Sequence, residues 1–246
     1  MRYGIRTDRG LYRNVNQDAV WAGVKDRLGL FVLSDGMGGH SRGEVASNAI
    51  TDAFAGYWEQ LAGLSQTPEF SVLAAQIQQV LLQVNQDIFD KYNQGQICGA
   101  TVVVLLICGD CYAVFWAGDS RIYTSAGLKC RQLTTDDIWD QDPFVVRNYT
   151  AKEIAESDSS GKLTQAVGTA PGLNIHVITD RLCAGQVFLL CSDGLFKFCA
   201  ERQLRRNLKN PRTKEKLEQQ LQNLMDIVFE NGAPDNVSMI MVKADQ

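Results

Sequence analysis

Apolar and polar positions along the chain switch between two periods, and the switches divide it into runs of strands and runs of helices. Across residues 2–7, Tyr3 and Ile5 alternate with charged or polar neighbours, which predicts a half-buried strand. Residues 19–22 and 28–33 predict two more, the latter a continuous apolar run of the buried type. Helical spacing takes over at 44–61, where Val45, Ala49, Ala53, Trp58 and Leu61 recur and Gly43 stands at the entry. It continues at 69–92, where Val72, Ile77, Val80, Leu81, Val84 and Ile88 form an apolar stripe. After Gly99 the strand period returns. Residues 100–108 and 112–117 flank Gly109-Asp110, and 121–124 and 129–133 flank Ser125-Ala126-Gly127, so each pair predicts a hairpin. Strands are predicted at 175–179 and 186–191, helices at 201–208 and 213–230, and a last strand at 237–242.

Segregated runs of this kind predict an α+β fold with antiparallel sheets rather than alternating βαβ units. Two sheets with helices outside is the simplest way to bury these faces. No Pro-, Gly- or Ser-rich linker and no solenoid repeat divides the chain, so residues 1–246 are expected to form a single domain. The polar stretch 132–162 stands apart as a surface excursion with a short helix at 151–156, and excursions of that length often act as lids.

Composition narrows the class. Apolar residues make up 45% and charged residues 21%, ordinary for a soluble globular protein. A net charge of −4 argues against the basic face of a nucleic-acid or membrane-surface binder. The local basic run Arg202, Arg205, Arg206, Lys209 and Arg212 is expected to be a solvated face. The longest apolar run, 102–108, falls far short of the ~20 residues of a membrane helix. Residues 1–4 carry no apolar signal core. A cytoplasmic protein without nucleic acid or membrane as partner is therefore expected. Most of its cysteines, which lack a disulfide-framework spacing, are expected as buried small hydrophobes. Cys108-Gly109-Asp110-Cys111 falls on the first hairpin turn with no helix after it, which disfavours a redox reading.

One local form recurs. Residues 31–37 and 189–195 each carry a buried-type strand into Ser-Asp-Gly: Ser34-Asp35-Gly36 and Ser192-Asp193-Gly194. Gly118-Asp119 follows a strand, Asp235-Asn236 precedes the last one, and Asp18 stands immediately before the second. A lone Asp-Gly is ordinary turn chemistry. Strand ends of one sandwich converge, however, and unpaired carboxylates there repel and raise one another's pKa. Bound cations remove that conflict, and all-oxygen ligands suit Mg²⁺ or Mn²⁺. With His40 and His176 as the only histidines, zinc is disfavoured. Adjacent divalent ions are an established device for in-line attack on phosphorus.

Arg13-x-x-Asn16-Gln17-Asp18, Asp35-Gly36-Met37-Gly38-Gly39-His40, Gly99-Ala100-Thr101, Gly118-Asp119-Ser120-Arg121-Ile122-Tyr123, Ser192-Asp193-Gly194-Leu195 and Pro234-Asp235-Asn236 occur in that order. Together they resemble the metal-dependent protein serine/threonine phosphatases, the protein phosphatase 2C family, in its compact bacterial form, over residues 7–242. The resemblance implies a four-layer α–β–β–α sandwich, two central antiparallel sheets flanked by pairs of helices. It implies hydrolysis of phosphoserine and phosphothreonine in proteins by a metal-activated water at a binuclear Mn²⁺ or Mg²⁺ centre, opposing bacterial serine/threonine kinases. By the same resemblance Asp35 bridges two ions, the Gly36 carbonyl binds the first, and Asp193 and Asp235 complete the second. Asp18 holds the water, and Asp119 with Asp193 binds a third, weaker ion. Arg13 grips the substrate phosphate, for which a guanidinium fork is suited. His40 either protonates the leaving seryl or threonyl oxygen or caps the helix near Gly43. Eukaryotic members place a histidine directly after the Asp-Gly, where Met37 stands here. Asn236 is expected to orient by hydrogen bonding.

Departures from the family pattern are Gln17, where members often carry Glu, and Thr134-Thr135-Asp136-Asp137, where members commonly have Thr, Asp and His. Residues 132–162 stand for the family's helical flap in a shortened, atypical form. The partners implied are phosphorylated protein substrates, either kinase products or a stress-signalling regulator, and the chain is expected as a monomer. The competing class is a degenerate binding module, whose mark would be lost ligands. All five aspartates and Arg13 are present, which favours an enzyme.

Overall fold

The structure, a computed structural model, describes residues 1–37, 42–92, 97–126 and 129–244. In chain order its elements are β1 (Arg2–Asp8), β2 (Asp18–Lys25), β3 (Leu28–Met37), α1 (Arg42–Ala62), α2 (Phe70–Tyr92), β4 (Gly99–Ala100), β5 (Val102–Cys108), β6 (Cys111–Ala117), β7 (Arg121–Ala126) and β8 (Lys129–Gln132). A 3₁₀ turn (Trp139–Gln141), α3 (Pro143–Asn148), α4 (Ala151–Glu156), β9 (His176–Arg181), β10 (Val187–Cys191), α5 (Asp193–Phe196), α6 (Glu201–Asn207), α7 (Lys214–Glu230) and β11 (Val237–Lys243) follow. One sheet runs β1-β11-β10-β7-β8 and the other β2-β3-β5-β6-β9, with β4 against β3. All pairings are antiparallel, as the segregated pattern predicts.

The apolar runs have no alternation because both faces of the central strands are covered. Leu30 and Val32 of β3 and Val102, Val104 and Leu106 of β5 face α1 and α2. Phe31, Leu33, Val103, Leu105 and Ile107 face the other way, into a layer shared with Phe188, Leu190, Ile240 and Val242 of the second sheet. Val187, Leu189, Met239 and Met241 then face α6 and α7. Helices, sheet, sheet, helices is the expected α–β–β–α sandwich. Each such side chain, fully buried, contributes about 1.5–3 kcal/mol, so three contiguous apolar layers fix the relative positions of the strand ends.

Two helical stripes differ from the predicted ones. In α1 the core takes Ala46, Ile50, Phe54 and Leu61, while Val45 is exposed and Ala49 and Ala53 are marginal. Both rows have i, i+4 spacing and lie about 100° apart on the helix. The sheet selects the row with the larger side chains. In α2 Leu73 replaces Val72, which is exposed. The polar excursion holds two short helices rather than one. Asp142 accepts hydrogen bonds from the backbone N–H of Phe144 and Val145, and Pro143 is pre-set for the first turn of α3. The second helix, α4, opens with a Thr150/Glu153 capping box at the predicted position.

Cys108 and Cys111 face each other across the β5–β6 hairpin turn as free thiols. The basic run from Arg202 to Arg212 is solvent-exposed, as expected. Among the described residues no helix is long and apolar enough to cross a membrane.

Candidate active site

The antiparallel registers bring all five aspartates to one rim. Asp18 opens β2 directly opposite Asp35 near the end of β3. Because β6 runs parallel to β3 through β5, Asp119 leaves at the same end. Asp193 follows β10 and Asp235 precedes β11, its antiparallel neighbour, so both lie at the matching end of the second sheet. The Ser192 hydroxyl joins the two halves: it donates to Asp18 Oδ2 at 2.8 Å and accepts the Ser238 backbone N–H at 3.0 Å.

The glycines of the two Ser-Asp-Gly corners are required by close backbone approach. A Cβ on Gly36 would lie 2.2 Å from the Gly43 carbonyl oxygen, and one on Gly194 would lie 1.9 Å from that of Asn236. The serines are buried brackets. Ser34 donates to the Thr101 carbonyl at 2.7 Å, while Thr101 Oγ1 accepts the Asp35 N–H at 3.1 Å. Asp119 follows Gly118, whose φ of +104° is a conformation that favours glycine. Gly118 in turn donates its N–H to Asp137 at 2.8 Å.

Five clustered carboxylates carry an electrostatic cost. Burial, then the fields of Asp18, Asp193, Asp119 and Asp235, hold the Asp35 carboxyl well above the usual carboxylate range. Burial is also the largest cause for Asp18 and Asp119, each pushed up to about 6. Two cations answer part of this charge. Arg13 Nη2 pairs with Asp235 Oδ2 at 2.8 Å, and Lys197 Nζ pairs with Asp193 Oδ2 at 2.5 Å. Asp18 Oδ1, by contrast, is buried without a hydrogen-bond partner among the described residues. A buried, unsatisfied carboxylate oxygen costs several kcal/mol unless a cation or a donor meets it.

That orphaned oxygen and the all-oxygen donor set fit hard divalent cations. Among the described residues, no three His, Cys, Asp or Glu side chains already form a closed set around one ion. Asp235 Oδ2 is held by Arg13 and Asp193 Oδ2 by Lys197.

Asn236 orients the approach, as expected. Its Oδ1 accepts the Gln17 N–H at 2.8 Å, and its Nδ2 donates to the Arg9 and Val15 carbonyls at 2.9 and 3.0 Å. The loop carrying Arg13 is thereby tied to the turn carrying Asp235. Gln17 contributes through its backbone, its carbonyl accepting from the Gly36 N–H at 3.1 Å and the Ser47 hydroxyl at 2.6 Å. His40 lies outside the described residues.

Some site contacts are invisible to motif reading. Ser192 and Ser34 stand beside the motif aspartates, and their recurrence before both Asp-Gly pairs is the available signal. Lys197 is the fourth residue after Asp193, a spacing that puts the two on one helix face. In the atypical 134–137 segment, Asp136 receives Arg121 through Nε at 3.0 Å and Nη2 at 2.6 Å. The Arg121 guanidinium lies 3.6 Å over the Phe196 ring, next to Lys197. Asp137 collects Gly118 N–H, Gln165 Nε2 and His176 Nε2, each at 2.8 Å. These carboxylates brace the Asp119 turn.

A family model described as Protein phosphatase 2C matches residues 12–239. The Serine/threonine protein phosphatase PstP of Mycobacterium tuberculosis is 30% identical over 244 residues, covering 98% of this chain and 44% of that protein. The chain thus spans less than half the length of that relative. The Serine/threonine phosphatase stp of Listeria monocytogenes is 26% identical over 252 residues, covering 100% of this chain and 96% of that protein. The crystal structure of the mycobacterial PstP/Ppp phosphatase matches with a TM-score of 0.81 at 28% identity, covering 100% of this chain and 99% of that one.

Proposed function

The chain belongs to the protein phosphatase 2C family, and from that premise we propose that it hydrolyses phosphoserine and phosphothreonine in proteins. In this reading residues 1–246 act as one catalytic unit, with 132–162 in the position of the flap. Two divalent ions, Mn²⁺ or Mg²⁺, would be held by Asp35 between them, by the Gly36 carbonyl on one side and by Asp193 and Asp235 on the other. When bound, such ions supply Lewis acidity and an activated water for in-line attack on phosphorus. Asp119 and Asp193 offer a third, weaker position.

The observation that carries the reading is the convergence of five aspartates from two sheets on one rim, with Asp18 Oδ1 buried and unmatched. The chain's own groups do the rest. Asp18 Oδ1 is free to accept a proton-bearing partner and so to orient the attacking water. Arg13, with its side chain 53% exposed, can exchange Asp235 for a substrate phosphate oxygen. His40 is the candidate donor of a proton to the leaving seryl or threonyl oxygen. Asn236 ties the loop that carries Arg13 to the turn that carries Asp235.

Substrates of this kind are made by serine/threonine kinases, so the enzyme would oppose that class of reaction, in the cytoplasm and as a monomer. The names of the relatives support the activity. The test is steady-state hydrolysis of a phosphothreonine peptide and of p-nitrophenyl phosphate with Mn²⁺ and then with EDTA. Mn²⁺-dependent turnover is expected. Turnover that is absent, or unchanged by EDTA, would overturn the proposal.

A further inference from the structure

Lys197 carries a property that the carboxylate rim alone does not have. It follows α5 directly, one turn beyond Asp193, and its backbone N–H closes that turn onto the Asp193 carbonyl at 3.0 Å. Its ammonium donates to Asp193 Oδ2 at 2.5 Å. Burial works against the charge of Lys197, but the hydrogen bond to Asp193 and the fields of Asp193, Asp119 and Asp35 outweigh it. The influence is mutual, since Lys197 stabilises the charged form of Asp119. The ammonium therefore lies against Asp193, within the field of Asp119. Arg13 holds the opposite side, against Asp235. Among the described residues, Asp18 Oδ1 is buried with no hydrogen-bond partner.

We propose that Lys197 is a resident cation of the Asp193–Asp119 corner, which competes there with a divalent ion and so confines tight metal binding to the interior pair of positions. The inference rests on the reading of the rim as a metal centre and specifies how this chain populates it. An ammonium and a divalent cation both need the outward lone pairs of Asp193, and they repel each other at contact distance. Binding a further ion at that corner requires Lys197 to leave. Its side chain is 53% exposed, so it can swing into solvent, at the loss of a charge-assisted hydrogen bond. The ion that does bind pays for that departure and binds more weakly. Phe196, pinned beneath the Arg121 guanidinium, anchors the helix end from which Lys197 reaches.

The test is Mn²⁺ binding by isothermal titration, with free Mn²⁺ followed by electron paramagnetic resonance, on the full chain without substrate. The parent is expected to bind two ions, with any third only weakly. Lys197→Gln is expected to tighten the third event by roughly two- to fivefold, the size of one lost partly exposed charge contact. Lys197→Arg, which keeps the charge, should titrate like the parent. Lys197→Gln/Asp119→Asn should lose the third event again. Superimposable titrations of the parent and Lys197→Gln, each with two ions bound, would overturn the role of Lys197 and leave the metal centre standing. No Mn²⁺ bound to the parent would overturn both.

Discussion

Asp18→Asn offers the most direct measure of what the rim costs the fold. Asp18 is buried, its Oδ2 accepts from Ser192, and its Oδ1 has no hydrogen-bond partner among the described residues. Its carboxyl rises from an ordinary 3.8 to about 6, chiefly because burial disfavours the charge. A native pKa above the unfolded one means that the unfolded chain ionises first. Stability is therefore undiminished below about pH 4, falls as pH rises through the interval to about 6, and stays low above it. At ~1.4 kcal/mol per pKa step the ceiling is about 3 kcal/mol, and sharing of charge with Asp35 brings a realistic figure nearer 1.5–3 kcal/mol. The amide keeps an acceptor for Ser192 and gains an N–H that can donate to Asp35, a carboxylate within hydrogen-bonding reach of Asp18.

In EDTA at pH 7.5, Asp18→Asn is thus expected to melt about 4–10 °C above the parent, at 2–4 °C per kcal/mol for a chain of this size. The difference should vanish near pH 4. With millimolar Mn²⁺ the order should reverse or close, because the parent gains a ligand-stabilised state that the variant binds less well. Thermal unfolding by circular dichroism across pH 4–8, with and without Mn²⁺, reads all three. A variant equal to or less stable than the parent in EDTA at pH 7.5 would refute the claim that a charge is buried there uncompensated.

Asp35→Asn and Asp193→Asn are each expected to lower kcat at least ~100-fold, since each would share two ions. Activity within a few-fold of the parent at saturating Mn²⁺ would remove them from those roles. Arg13→Ala should raise KM for phosphopeptide and weaken inhibition by free phosphate, with Mn²⁺ binding retained. A lost charge-assisted contact is worth roughly 1.5–3 kcal/mol, and unchanged KM and phosphate inhibition would count against it. Removing divalent ions from the parent should lower its melting temperature. An ion a hundredfold above its Kd adds about 2.7 kcal/mol, or roughly 5–10 °C, and Ca²⁺ should substitute in this effect while supporting little turnover. Equal melting temperatures in EDTA, Mn²⁺, Mg²⁺ and Ca²⁺ would show that the carboxylates form no metal cluster.

What was legible in the chain followed from whether a residue's role is local. The two-sided strands declared themselves because residues 28–33, 102–108 and 237–242 have no polar positions on either face long enough to suggest solvent. The rim aspartates were legible for a similar reason: turn chemistry after a buried strand repeats at Asp35 and Asp193. The stripe of α1 was not, because Val45-Ala49-Ala53 and Ala46-Ile50-Phe54 satisfy the same spacing, and only docking on the sheet separates them. The missed helix α3 had a readable cap in Asp142-Pro143, obscured by its polar surroundings. The contacts of Ser192 and Lys197 were beyond pattern reading. A serine in a strand corner and a lysine in a helix turn are common, and their importance lies in what they face: Asp18, distant in sequence, and the corner between Asp193 and Asp119.

The Ser192–Asp18 hydrogen bond has a wider consequence. Asp18, Asp35 and Asp119 hang from one sheet, Asp193 and Asp235 from the other, so neither sheet alone carries the cluster. The rim acts as a gauge of the gap between two slabs. A core change far from it, such as a smaller side chain at Phe31 or Phe188 in the layer between the sheets, would alter the span that a bound ion has to bridge without touching any of the rim aspartates. Affinity for the ion then becomes a ruler for interior packing, and the ion a rivet whose grip depends on how flush the slabs lie. Distant core substitutions in this fold are thus expected to surface first as weakened metal binding, before any loss of secondary structure.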